Sequence, residues 1–286
     1  MSILYGVIFG VISLIGYGIC DYYNPIASRR IGILESNLLL RTVTTLLLLI
    51  LAPLFVNSIP PFSTGLLLIV IAASIFSSLG MLTYSKSTID ANISINVSIA
   101  NSWSIVTIAL LLIFLGTHVS QSSAIYIAVI ILGTMLVSME LKELRHLNFT
   151  KVSKGAPYAF LAMLSWGAAF FFGIILIEDI GWFLASLYLS IGMTTVYIIA
   201  YSRTKPKYID PKPAWAVILL YAVSVTAGSL AFGIGVLNNP LIVTPIAAAS
   251  PAVTIFMAVA KLKEKLEPNH ILGIFMIILG LVALSL

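Results

Sequence analysis

The chain has 286 residues, 60% of them hydrophobic types and only 9% charged, with a mean hydropathy of +1.11. A soluble domain carries about 25% charged residues, so this chain cannot cover a water-facing surface and its composition places it in a bilayer. The formal net charge of +5 is scattered over short loops, a pattern that membrane topology explains and nucleic-acid binding does not. The single cysteine, Cys20, excludes a disulfide framework and a cysteine-based metal site.

The N-terminal apolar run lacks a basic leader and a small-residue cleavage site, so it reads as a first helix. Ten apolar segments, this one included, run in order at 4–22, 36–56, 64–85, 93–115, 122–139, 156–177, 181–201, 213–237, 241–262 and 269–286. Each is close to the roughly 20 residues a helix needs to span a bilayer core. Turn chemistry separates several of them: Asn24-Pro25, Pro60-Pro61, Asn238-Asn239-Pro240 and Pro268-Asn269. The longest interruption, 140–155, is polar and basic and divides the chain almost in half. The expected fold class is an all-α integral membrane protein of ten transmembrane helices. Its organisation would be a first five-helix repeat at 1–140, a linker at 141–155 and a second repeat at 156–286.

The fourth segment opens with NISINVSIANSWS at 92–104, whose polar/apolar alternation looks like a strand. A lone strand would leave its edges unpaired in lipid, where helices and closed barrels alone satisfy the backbone. The stretch therefore reads as the first half of a helix. On it, Asn92, Asn96 and Trp103 share one side, while Ser94, Ser98, Asn101 and Ser102 cluster on roughly the opposite one.

Matches between the halves recur at a near-constant offset. Gly6, Tyr17 and Gly18 correspond to Gly155, Trp166 and Gly167 at 149; Gly80, Ala100 and Ser102 correspond to Gly228, Ala248 and Ser250 at 148; and Gly133 corresponds to Gly280 at 147. Five helices is an odd number, so a second such repeat enters the membrane from the opposite side. Inverted repeats are a mark of secondary transporters, which bind substrate between the repeats near the midplane. All loop Lys and Arg residues follow the first, third, fifth, seventh and ninth segments. The positive-inside rule places those loops in the cytoplasm and both termini outside.

These features resemble the EamA family of the drug/metabolite transporter superfamily over the whole chain, in a form similar to aromatic amino acid and metabolite exporters. The local marks are the aromatic-Gly pairs Tyr17-Gly18 and Trp166-Gly167, Arg41 opening the second segment, Ser250-Pro251 in the ninth, and Glu264 and Glu267 leading into a segment with Gly273 and Gly280. The first half departs from the pattern, with Trp103 in the place of Pro251 and Gly116 in that of Glu264. The resemblance implies a multi-pass carrier of small organic metabolites in the cytoplasmic membrane, often an exporter. It also implies termini on the cytoplasmic side, which disagrees with the loop charges.

The candidate substrate-binding residues are Tyr17, Tyr84, Asn96, Asn101, Trp103, Trp166, Phe232 and Ser250. Amides and hydroxyls supply donors and acceptors, and the aromatic rings wall the apolar part of a ligand. Each also has a packing explanation, as interhelical glue or core. Pro251 predicts a kink in the ninth segment through its missing N–H. Asp21, Arg41, Lys86 and Lys261 all lie near segment ends. Arg41 and Lys261 would snorkel to the interface, and Asp21 is the one candidate for ion coupling. With no carboxylate in mid-segment, the expected substrates are neutral or zwitterionic, amino acids first. The histidines His118, His146 and His270 fall in loops without ligand spacing, and no catalytic motif is present. The sequence therefore points to a non-enzymatic carrier that needs no cofactor, works by alternating access and is a monomer or homodimer. The rivals are a broad drug-efflux carrier and a non-transporting receptor or assembly subunit.

Overall fold

The structure, a computed structural model, describes residues 3–61, 63–89, 99–138, 155–204, 209–262 and 267–285. The described part is helical, and no strand occurs in it. The helices are α1 (Ile3–Ile31), α2 (Ile33–Phe55), α3 (Thr64–Ile89), α4 (Trp103–Phe114), α5 (Gln121–Val137), α6 (Ala156–Ile180), α7 (Trp182–Ser202), α8 (Trp215–Val236), α9 (Pro240–Ala248), α10 (Pro251–Leu262) and α11 (Pro268–Ser285). Among the described residues, seven helices are long and apolar enough to cross a membrane, with α9 and α10 taken as one, and three shorter apolar helices accompany them. Exposed Leu, Ile and Phe side chains run the length of the outer faces, for example Leu46, Ile50 and Leu54 on α2. A lipid-facing surface has this character because nothing polar is needed there.

Two boundaries differ from those read in the sequence. Asn24-Pro25 is not a turn: α1 runs on through Pro25 to Ile31. The missing N–H of Pro25 and its ring's clash with the carbonyl of Asp21 are absorbed within the helix. Cys20, Tyr22 and Tyr23 before Pro25 and Ala27 after it are buried together with Leu40 of α2 and Val217, Ile218 and Tyr221 of α8. The chain turns instead at Gly32, whose φ of 97° suits a residue without Cβ. The fourth segment is not one continuous helix either. Residues 99–101 are helical, Ser102 is a turn, and α4 begins at Trp103; residues 92–98 lie outside the described part.

The break at Ser102 has a counterpart at the α9–α10 junction. Ser102 has φ −78° and ψ 11°, and Ala249 has φ −77° and ψ 10°. Ser102 N donates to Ile99 O at 3.1 Å, and Ser250 N donates to Ala247 O at 3.3 Å. The latter bond gives a partner to the carbonyl that Pro251 cannot reach. Trp103 stands where Pro251 does, so proline is not needed for the first of the two breaks.

The largest interfaces pair α1 with α8, α3 with α6 and α5 with α11. Smaller ones come in matching sets: α2 packs on α8 as α3 packs on α7, and α1 packs on α9 and α10 as α6 packs on α4. Close contacts repeat the pattern. A Cβ on Gly18 would strike Val253 and the Ser250 carbonyl; one on Gly167 would strike Val106 and the Trp103 carbonyl. Thr254 Oγ1 donates to Gly18 O at 2.9 Å, and Thr107 Oγ1 donates to Gly167 O at 3.0 Å. Small residues let the helix backbones approach, and the hydroxyls bond across the gap, as packing in lipid requires. Between α2 and α7 the contact is polar: Thr45 Oγ1 lies 2.7 Å from Ser190 Oγ and 2.9 Å from Thr194 Oγ1.

Candidate functional site

A cavity of ≈ 180 Å³ lies in the middle of the bundle. Tyr17, Tyr84, Asn101, Trp103, Trp166, Phe232 and Ser250 all line it, as does Asp21. Asn96 lies outside the described residues. The helices that bring these side chains together are α1, α3, α6 and α8 with the broken segments around Ser102 and Ser250. No residue of α5 or α11 lines the cavity. The site is also wider than the sequence indicated, because α2 contributes Arg41, Thr44 and Leu48 and α7 contributes Ser186, Leu189 and Ser190.

The aromatic side chains form two groups. Tyr84 lies against Trp166, with centroids 5.1 Å apart. Tyr17 meets Phe232 at 6.4 Å and Phe170 at 6.1 Å, Phe170 meets Phe232 at 5.2 Å, and Trp103 stacks on Phe170 at 3.9 Å and 10°. Tyr17–Phe232 and Trp166–Tyr84 are corresponding pairs at the sequence offsets of 149 and 148. Phe170 was not singled out in the sequence, although it sits one helical turn beyond Trp166, where one face of α6 continues.

Two charges were misplaced by the sequence reading. Asp21 does not lie at the end of its helix. Because α1 continues to Ile31, the carboxylate is ten residues inside the helix end, about 15 Å at about 1.5 Å per residue. Asp21 Oδ2 accepts a hydrogen bond from Ser250 Oγ at 3.0 Å. The argument from a missing mid-helix carboxylate therefore fails. Arg41 does not snorkel: it lines the cavity eight residues into α2, with its guanidinium 5.9 Å from the Tyr221 ring centroid. Lys261 does stand at a helix end, exposed, and its Nζ donates to Tyr23 OH at 2.8 Å. His270 is in the first turn of α11 and buried, not in a loop. His118 is in the connection between α4 and α5, and His146 is outside the described residues.

The two halves of the cavity differ chemically. At an offset of 149 from Asp21 stands Phe170. One half therefore presents a carboxylate and a serine hydroxyl at a proline break, and the other presents a phenyl ring stacked on an indole. Thr44, Ser77, Ser186, Ser190, Thr226 and Ser229 add hydroxyl-bearing side chains to the lining. Among the described residues no group of His, Cys, Asp and Glu could hold a metal ion.

No curated protein matches the chain in sequence. Among solved structures 28 chains match. One of them, described only as a crystal structure of a protein, superposes with a TM-score of 0.71 over 96% of both chains at 9% identity, a likeness of fold alone. Residues 153–286 match the model of the EamA-like transporter family.

Proposed function

We propose that the protein is a secondary transporter that moves small zwitterionic or neutral organic metabolites, amino acids first, across the cytoplasmic membrane by alternating access, in the direction of export. The observation that carries this reading is the central cavity, in which Asp21 and Arg41 stand among aromatic rings and hydroxyls without pairing with each other. An intramembrane charge is costly and persists where it has a functional partner. A mostly apolar pocket with a few placed polar groups is the usual form of a small-ligand site. Tyr17, Tyr84, Trp103, Trp166 and Phe232 wall the apolar part of the solute. Asn96, Asn101 and Ser250 bind its polar groups, and Asp21 couples movement to an ion.

The organisation as two inverted repeats, at 1–140 and 156–286, supports alternating access. In its favour are the corresponding pairs Tyr17–Phe232 and Trp166–Tyr84, the twin hydrogen bonds from Thr254 and Thr107, and the matching interfaces of α1 with α8 and α3 with α6. Two similar halves that can exchange conformations give a carrier two equivalent states opening to opposite sides.

The test is solute movement in proteoliposomes loaded with labelled amino acids, compared with protein-free vesicles. The carrier reading expects saturable movement of at least one amino acid, competed by its unlabelled form and abolished by Trp166→Ala. Release no faster than from protein-free vesicles for amino acids, nucleosides and sugars alike would remove the reading.

A further inference from the structure

Arg41 is the least satisfied charge in the cavity. It stands about 12 Å inside α2, at about 1.5 Å per residue, where a cation in apolar surroundings needs a partner. The groups that face it most closely are the phenols of Tyr221, Tyr197 and Tyr17 and the thiol of Cys20, and the Asp21 carboxylate acts on it from farther off without an ion-pair contact. It makes no ion pair among the described residues, and its buried Nε has no hydrogen-bond partner. Asp21 shares the cavity, where its Oδ2 accepts a hydrogen bond from Ser250. A second buried group without a partner, Thr226 Oγ1, lines the same space.

We infer that Arg41 is the anion subsite of the cavity and holds a carboxylate of the bound solute. The guanidinium is a planar fork whose N–H groups match the two oxygens of a carboxylate, and charge-assisted bonds of this kind are the strong ones. The Tyr221 ring, with its centroid 5.9 Å from the guanidinium, stabilises the cation by its face. A phosphate monoester shares this chemistry but fits less well. It brings a second negative charge into a space that already holds Asp21, and neither a lysine nor another arginine lines the cavity to offset it. The aromatic cluster of Tyr17, Trp103, Phe170 and Phe232 lines another part of the cavity and takes the apolar end of the same molecule. The subsite thus sorts solutes by a single negative charge at one end.

This inference rests on the carrier reading for its meaning, but its test does not depend on transport. The full-length protein in detergent would be titrated with 3-phenylpropionate, its uncharged amide and phenyl phosphate. The acid should bind about tenfold to a hundredfold more tightly than the amide, the usual worth of a charge-assisted hydrogen bond. Arg41→Gln should bring acid and amide to the same affinity. Arg41→Lys, which keeps the charge and loses the fork, should narrow the preference several-fold, and it decides the matter if the glutamine variant does not fold. Equal binding of acid and amide by the unaltered protein, no binding of the acid, a preference undiminished in either variant, or tighter binding of phenyl phosphate than of the acid would each overturn the assignment. Acid-selective binding through Arg41 with no solute movement in vesicles would leave the subsite standing and remove the carrier. Solute movement without acid selectivity would do the reverse.

Discussion

Ser250 Oγ donates a hydrogen bond to Asp21 Oδ2 at 3.0 Å, joining residues 229 positions apart. The donor sits at the α9–α10 break, and the acceptor is the carboxylate of α1 that lines the central cavity. A helix break and an intramembrane charge are therefore held by one bond. A change at the carboxylate, whether protonation or a cation beside it, acts directly on the segment that carries Pro251.

Asp21→Asn keeps the shape and the hydrogen bond to Ser250 while removing the charge. If Asp21 couples solute movement to an ion, the variant should exchange labelled for unlabelled solute across vesicles but should no longer accumulate it against a gradient when a proton or sodium gradient is imposed. Measuring exchange and accumulation on the same vesicles separates the two. Undiminished accumulation by the variant would show that coupling lies elsewhere.

Gly173 lines the cavity, and nothing lies within 4 Å of where a Cβ would stand. Gly173→Ala should therefore raise thermal stability, since alanine is favoured over glycine in a helix by about 1 kcal/mol. The same methyl enters the binding space, so solute affinity should fall while the melting temperature rises. A loss of stability, or unchanged affinity, would contradict the placement of Gly173 on the cavity.

Gly16 makes the opposite case. A Cβ there would lie 2.6 Å from Gly228 Cα and 2.7 Å from Ser224 O. Both are backbone atoms that no rotamer change can move. Gly16→Ala should force α1 and α8 apart at a cost of about 1–3 kcal/mol, the range for overpacking, seen as a lowered melting temperature. A variant as stable as the parent would mean that these helices are not in backbone contact.

Thr254→Val and Thr107→Val each delete one hydroxyl that bonds a glycine carbonyl on a neighbouring helix. Each should cost about 1 kcal/mol. The losses should be similar to each other and additive, because the two bonds share no partner. Melting temperatures of the two single variants and the double variant provide the check. A large cost at one site and none at the other would break the correspondence between the halves.

Much of the site was legible before any coordinates. Tyr17 and Trp166 were found by their shared offset, and so were Tyr84 and Phe232; the structure places all four on the cavity. The offset pairs meet in matching contacts, Tyr17 with Phe232 and Trp166 with Tyr84. The kink at Pro251 was legible because the missing N–H is a property of the residue itself. The break at Ser102 was not, since Ser, Asn and Trp are all compatible with an unbroken helix. Phe170, Arg41 and Tyr221 were missed for a different reason. A phenylalanine on a helix face looks like core, and a charge near the end of an apolar run looks like an interface anchor.

The sequence by itself determined that the chain is a helical membrane protein, because so few charges cannot clothe a soluble surface and lipid leaves backbone groups no outside partner. It also determined where most of the apolar segments lie. Only the tertiary structure decided where α1 ends, and with that how far inside the helix Asp21 lies. Asn24-Pro25 reads locally as a stop, but Tyr22, Tyr23 and Ala27 are buried against α2 and α8, and that packing carries the helix on to Gly32. The depth of a charge in a membrane follows from where its helix begins and ends, and contacts with distant segments set those ends.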